Sequence, residues 1–583
     1  MNLHKKYLLS FAVSWGILAN ISVPAQSAGF LDELEIAHSK ILETKNVDNT
    51  PSLSGSFLAA LSASSQGDDP AAIENYRNVI AVDPTNSNVQ QSLFAALTAD
   101  GKISEAIDFL GTMSPESQNV NLNRIVIAAN AIKQKSWKRA VSTIDKINGS
   151  ALDDMVTKIV GAWALYGERD LPEAIKRVQS IEGPDWVLLI KEYHLGLLHA
   201  ANGQDKEAAA FFTQAVGRRN VAAALTETYM RAIEGLARVQ TKSGDLDTAI
   251  KTAENGLNLL AEHPPLKQFL TKLDEKQKSA PLVKSAQQGT AEVFYNVGSA
   301  ISRQGGLPFA QGYLQLANFL VPKNNTVVMA LANTYSDQKK FVRANELFAT
   351  IEETSAYYSR AQLEEGLNLN RMDQYPDAEK ILSTLFDASP DDGVVALSLG
   401  GVYSQREEHP KAVALYDRII ATQTETEERD WVLYYRRGIS HERTKNWPMA
   451  EADFLRALEL SPDQPDVLNY LGYSWIDQGI NLDDGLAKVK KAVQLKPNSG
   501  FIIDSLGWAY YRLGRYEEAV VELSRALELM PSDPVVNDHL GDAFWKTDRK
   551  LEAVFQWKHA LSHKPSEEEE AKIREKIRAG LTH

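Results

Sequence analysis

The chain contains no cysteine. That excludes disulfides, thiolate nucleophiles, cysteine-ligated metals and a lipid-modified cysteine behind a leader. Basic charge is in deficit: 62 Lys and Arg stand against 76 Asp and Glu, for a formal net charge of −14. A nucleic-acid binder is expected to carry a strongly basic surface, so this balance argues against one. Long apolar runs are missing as well. The longest candidate, Tyr7 to Ile21, is about fifteen residues, short of the roughly 20 that a membrane-spanning helix needs. No glycine-rich phosphate loop, nucleophile elbow or Ser-His-Asp arrangement stands out.

What remains is a soluble, ordered composition, 44% apolar and 24% charged over 583 residues. His4, Lys5 and Lys6 precede the short apolar run. The small residues of Ser22–Ala28 then offer cleavage after Ala25 or Ser27. Basic start, apolar middle and small-residue end are the order of a secretory signal peptide, so residues 1–27 read as a cleaved leader. The mature chain is then periplasmic, with secretion as the other outcome. It has neither membrane span nor lipid anchor, and its stability comes from packing alone.

Self-similarity organises nearly everything after the leader. Leu506, Gly507, Tyr510, Ala519, Ala526 and Pro531 recur 34 residues later as Leu540, Gly541, Phe544, Ala553, Ala560 and Pro565. The small residue before the second apolar run extends this phase backwards. It falls at Ala72, Ala106, Ala140, Ala174, Ala208, Ala249, Ala310, Ala344, Ala378, Ala412, Ala450, Gly485, Ala519 and Ala553, fourteen units in all. Each recurring residue has a physical task. The small anchor, and the glycine twelve residues before it (Gly196, Gly298, Gly366, Gly400, Gly438, Gly507), let two helices cross closely. Gly67, Gly101, Gly203, Gly244, Gly305, Gly479 and Gly514 fall where the first helix ends in a left-handed residue. Pro84, Pro322, Pro390, Pro462, Pro497, Pro531 and Pro565 stop the second helix.

The phase is interrupted at Arg218–Leu225, at His263–Gly289 and at Thr422–Asp430. The longest interruption reads as one extra helix and a joint between two arms. Ser566, followed by four glutamates and later by Lys and Arg, reads as a terminal capping helix. The expected fold is therefore all-α, a superhelical solenoid of about 14 helix pairs. A segment at 28–52 leads into an N-terminal arm at 53–262. A joint at 263–290, a C-terminal arm at 291–565 and a cap and tail at 566–583 follow.

These units resemble tetratricopeptide repeats over most of the mature chain, which implies a right-handed superhelix. The runs WVLYYRRGISHERTKNWPMAEADFLRALELSPDQPDVLNYLGYSWIDQGINLDDGL, FIIDSLGWAYYRLGRYEEAVVELSRALEL and VNDHLGDAFWKTDRKLEAVFQWKHAL are similar to a family of exported alphaproteobacterial repeat proteins. More loosely they are similar to the periplasmic repeat adaptors of C-terminal processing proteases. Those adaptors carry a lipidated cysteine, which this chain lacks.

The resemblance implies that unit positions 2, 5, 6, 9, 12 and 13 line a concave groove. In the first three units they read Ser54, Phe57, Leu58; Asn88, Gln91, Ser92; and Leu122, Ile125, Val126. That surface is small or apolar, of the kind that packs against structure. In the C-terminal arm they supply Tyr435, Arg436 and Arg443, with Glu442 beside them; Asn469, Tyr470, Tyr473 and Asp477; Asp504, Trp508, Tyr511 and Arg512; and Asp538, His539, Asp542, Trp545 and Lys546. Rigid aromatics supply contact area at low entropy cost, while Arg and Asn hold a carboxylate or a peptide backbone. A full carboxylate clamp is present only in fragments: Asn469, Arg436 and Arg512.

Chemistry is weakly signalled. His559 and His563 have a metal-compatible i, i+4 spacing but no zincin glutamate, and read as two solvent-side histidines. Asp504 and Asp538 align because the repeat aligns them. The expectation is a non-catalytic interaction scaffold without cofactor or metal. Its partners would be proteins or peptides, an envelope protease or wall hydrolase among them. The competing readings are a structural part of an envelope or secretion assembly and, less favoured, a cell-wall enzyme.

Overall fold

The computed structural model describes residues 52–581 apart from 276–279 and 424–425. The leader and most of the segment that follows it thus lie outside the described residues. Every regular element among those residues is helical. Helix pairs run from Leu53–Ser65 with Asp69–Val82 to Pro534–Lys546 with Lys550–Ser562, and Glu567–Ala579 closes the chain.

The anchors behave as the repeat demands. All thirteen alanines are buried, as is Gly485. A Cβ added at Gly196 would stand 2.6 Å from the Phe212 ring, and one at Gly507 would stand 2.5 Å from Leu523. No real side chain tolerates that approach, so glycine sets the helix separation. Each of the seven repeat prolines lies just beyond a second helix: Pro531, for example, follows Tyr516–Leu529.

The left-handed residue between the two helices goes further than the glycines suggest. The seven glycines have φ between 71° and 89°. In the other units the same position is held by Lys135, Arg169, Lys339, Asp373, Glu407, Lys445 and Asp548, all with positive φ. Non-glycine residues adopt this conformation at a cost of about 1–2 kcal/mol each. The pair packing overrides it.

The chain divides into two compact units, one through Asn368 and one from Leu369 onward. In the first, the pair Ala286–Arg303 and Leu307–Leu320 does more than continue the stack. Ala286–Arg303 packs against Asn121–Lys133, Ala151–Gly167, Asp185–Ala201 and Thr226–Lys242. Leu307–Leu320 packs against Ser87–Ala99, Ile103–Leu110 and Asn121–Lys133. Most of these are the first helices of earlier pairs, so this pair fills the concave row of the preceding ones. The small and apolar character of Leu122, Ile125 and Val126 suits that packing. Sequence phase alone puts a joint between arms at 263–290. The extra helix is there, Pro264–Asp274, but packing carries the first unit on to Asn368.

A helix enclosed on several sides has to be narrow, and its larger polar side chains find partners. Gly289 lies against the Trp163 ring, with no space for a Cβ. Glu292 accepts from Arg231, with Nη2 at 2.9 Å, and from the Tyr193 hydroxyl at 2.8 Å. Thr228 donates to Asn296 at 3.2 Å. Gln311 donates to Asp69 at 2.9 Å and to the Ala99 carbonyl at 2.6 Å. Trp163 Nε1 donates to His194 Nδ1 at 3.2 Å. An indole nitrogen only donates, so that ring nitrogen is the acceptor and the imidazole stays neutral. Burial, and then the Arg231 charge, push the His194 pKa down to about 3.

Removing one member of a buried charge pair leaves the other uncompensated, at a cost of about 3–5 kcal/mol. Glu292→Ala is expected to lower the stability of the first unit by that amount in denaturant titration. A loss under about 1 kcal/mol, the worth of a surface pair, would show that Arg231 does not hold this helix.

Candidate partner-binding groove

In the second unit, first helices Trp431–Arg443, Pro465–Asp477, Gly500–Arg512 and Pro534–Lys546 lie in sequence. They are helical for ordinary reasons. Proline sits in the first turn of two of them, and Asp533 caps the last by accepting from Val535 and Val536 amides. Leu471, Leu506 and Leu540 face the partner helices and are buried, which turns the polar and aromatic positions the other way.

Those positions surround an open cavity of about 560 Å³. Seven of the sixteen sequence-predicted residues line it: Arg443, Asn469, Tyr470, Tyr473, Asp477, Asp504 and His539. Glu442 lines it too, accepting from the Tyr470 hydroxyl at 3.1 Å. Burial and the Glu442 charge push the Tyr470 hydroxyl's pKa up; burial with Asp477 and Asp504 pushes that of Tyr473 up to about 12. Both tyrosines therefore stay neutral donors at any physiological pH. Asn469 is 2% exposed, and its Nδ2 donates to Ser505 Oγ at 3.2 Å. Its Oδ1 is buried and has no partner, a costly state for an acceptor.

The remaining nine predicted residues are placed otherwise. Tyr435 packs edge-on to Tyr470, ring centroids 6.2 Å apart, with Arg436 over its outer side. Trp508 is stacked between His539 at 4.0 Å and Tyr511 at 4.6 Å. Arg512 donates to the Asp477 side chain at 2.7 Å and to its carbonyl at 2.8 Å. Lys546 lies half-buried at the end of its helix. The capping helix claims the rest. Lys576 donates to Asp538 at 2.7 Å and Asp542 at 2.8 Å, and Gly580 lies against Trp545. Asp542 also accepts from the buried Trp557 at 2.9 Å. Burial, with Asp538 beside it, pushes its pKa up to about 6.

Lys445, Trp447, Ser474, Gln478, Phe501, Ser505 and Val535 complete the lining. Phe501 and Val535 were legible in principle, being apolar at one unit position 34 residues apart; Phe501 is 60% exposed. Lys445 reaches the cavity from its left-handed turn, which no residue-type rule foretells.

His539 Nδ1 lies 3.0 and 3.1 Å from the two oxygens of Asp504. Ser505 donates to the Phe501 carbonyl at 3.1 Å, so its hydroxyl is committed within the helix. Among the described residues no group of three or more His, Asp or Glu converges as metal ligands, and no helix is long and apolar enough to cross a membrane. The arrangement offers an aromatic wall and a lining of mixed charge, with Arg443 and Lys445 alongside Glu442, Asp477 and Asp504.

Comparison with known proteins gives the repeats a name. Residues 363–425 match a family model described as tetratricopeptide repeat, and residues 507–548 match one described as TPR repeat. A TPR repeat-containing protein of Pseudomonas aeruginosa is 31% identical over 90 residues, 15% of this chain and 15% of the relative. A tetratricopeptide repeat protein from Parabacteroides merdae is 16% identical, covers 44% of this chain and 99% of its own, and has a TM-score of 0.37. Cut9 in the APC/C Cut9–Hcn1 hetero-tetramer is 15% identical over 94% of this chain and 99% of its own, with a TM-score of 0.38. Yeast Tom70 is 13% identical over 73% and 95%, with a TM-score of 0.36.

Burial opposes charge on His539, but Asp504, with Asp538 and Asp542 beyond it, outweighs burial and lifts its pKa above 6.5. A histidine raised in the folded state contributes fully below pH 6.5 and loses that contribution as pH rises through the folded value. An NMR titration is expected to give a midpoint above 6.5 in the native chain and a lower one in Asp504→Asn. An unchanged midpoint in the variant would remove Asp504 as the cause.

Proposed function

From this tetratricopeptide-repeat chain we infer a protein–protein interaction scaffold that holds partner proteins or peptides in the groove of its second unit. The observation that carries the reading is the 560 Å³ cavity with Tyr470, Tyr473 and Phe501 in its lining. Aromatic anchors are what a desolvated contact needs. In the first unit, the first helices from Ser87–Ala99 to Thr226–Lys242 are covered by Ala286–Arg303 and Leu307–Leu320. We place the scaffold in the bacterial periplasm on the strength of the leader-like residues 1–27. An envelope protease or wall hydrolase fits as partner class through the loose resemblance to processing-protease adaptors. Nothing in the groove requires catalysis by this chain.

Tyr473→Ala combined with Arg443→Glu changes the wall and a lining charge and touches no repeat anchor. Crosslinking in the native cell followed by affinity capture is expected to recover a discrete partner set with the native chain. The double variant should lose at least about 90% of that set, the equivalent of 1.4 kcal/mol. A surface control such as Lys251→Ala should lose none. Equal recovery by the double variant, with its helicity intact, would place the partner surface elsewhere.

A further inference from the structure

The last helix pair holds two histidines whose geometry says more than their spacing. His559 lies in the final turn of Lys550–Ser562, and His563 caps that helix. The Asn537 amide fixes the state of the first ring. Its Nδ2 donates to the Pro531 carbonyl at 3.1 Å and to the Asp533 carbonyl at 2.7 Å. The atom turned towards His559 is therefore Oδ1, 3.0 Å from Nδ1. A carbonyl oxygen only accepts, so Nδ1 carries the proton and the lone pair of the neutral ring lies on Nε2. That Nε2 is 3.5 Å from Nε2 of His563, with the rings nearly perpendicular at 79°. Phe555, one turn earlier, lies parallel to His559 with ring centroids 6.1 Å apart.

We propose that His559 and His563 form a two-ligand site for a divalent transition-metal ion that favours imidazole, namely Zn²⁺, Cu²⁺ or Ni²⁺. Metal–nitrogen bonds of about 2.0–2.1 Å put two ligand nitrogens about 3 Å apart, so a small side-chain movement closes the site. Imidazole nitrogen selects these ions over Mg²⁺ and Ca²⁺, which take oxygen. Asn537 is the outer partner that orients the first ligand and fixes its tautomer. Both rings are partly exposed, so the ion enters from solvent and water completes its coordination. With two protein ligands the site is exchangeable. Its effect is to fasten the end of the last repeat helix by mass action on the folded state.

Copper titration of the full chain followed by electron paramagnetic resonance tests this directly. The native chain is expected to show a site with superhyperfine splitting from two imidazole nitrogens. His559→Gln or His563→Gln alone should weaken it by at least about tenfold, and the two together should abolish it. The chain has 11 histidines, so the double variant decides. A two-nitrogen signal of undiminished strength in the double variant would overturn the assignment, as would no copper uptake by the native chain. Zn²⁺ should raise the melting temperature of the native chain more than that of the double variant, with equal melting of both before metal is added. An equal rise in both would also count against the site.

Discussion

The buried contact between Arg231 and Glu292 is the interaction on which the first unit turns. It joins residues 61 apart in sequence and pins the Ala286–Arg303 helix to the first helices of earlier pairs. Two charges taken out of water are stabilised when hydrogen bonds satisfy them. Here Tyr193 takes one Glu292 oxygen, and Glu234 lies beside Arg231, bonded in turn to Arg238. Around this centre the neutral His194, Trp163 and Asn296 continue the polar seam. The repeat rules by themselves build an open row. This seam closes it.

Closure decides what the concave surfaces are for. A row of first helices covered by the chain's own helices is core, and its small and apolar residues are chosen for packing. The second unit keeps polar and aromatic residues on the equivalent row, and there a cavity stays open. Its far end is covered as well, because Lys576 of the capping helix neutralises Asp538 and Asp542. The stretch from Arg443 to His539 lines the part that stays open.

The repeat signals in the sequence answer to local sterics. The alanine anchors, the left-handed glycines and the prolines after second helices all act within one unit. The cap at Ser566, with Glu569 returning its hydrogen bond, is equally local. Two features were not legible. Ala286–Arg303 carries the same Gly and Ala pattern as any other first helix, so nothing in its phase reveals that it packs across several units. Such contacts depend on how far the superhelix curves, which no single repeat encodes. Likewise Asp538, Asp542 and Trp545 sit at groove positions by phase, and only the return of the last helix removes them from the groove. Residues such as Lys135 and Asp548 were missed for the opposite reason: packing imposes a left-handed turn that their side chains disfavour.

Amide hydrogen exchange on the intact chain tests most directly whether the first unit is closed around its own helices. Exchange in 286–320 is expected to be as slow as in the helices of 151–242, with both regions opening together as denaturant is added. Fast exchange through 286–320, while 151–242 stays protected, would mean that the concave row is open and that a partner could occupy it.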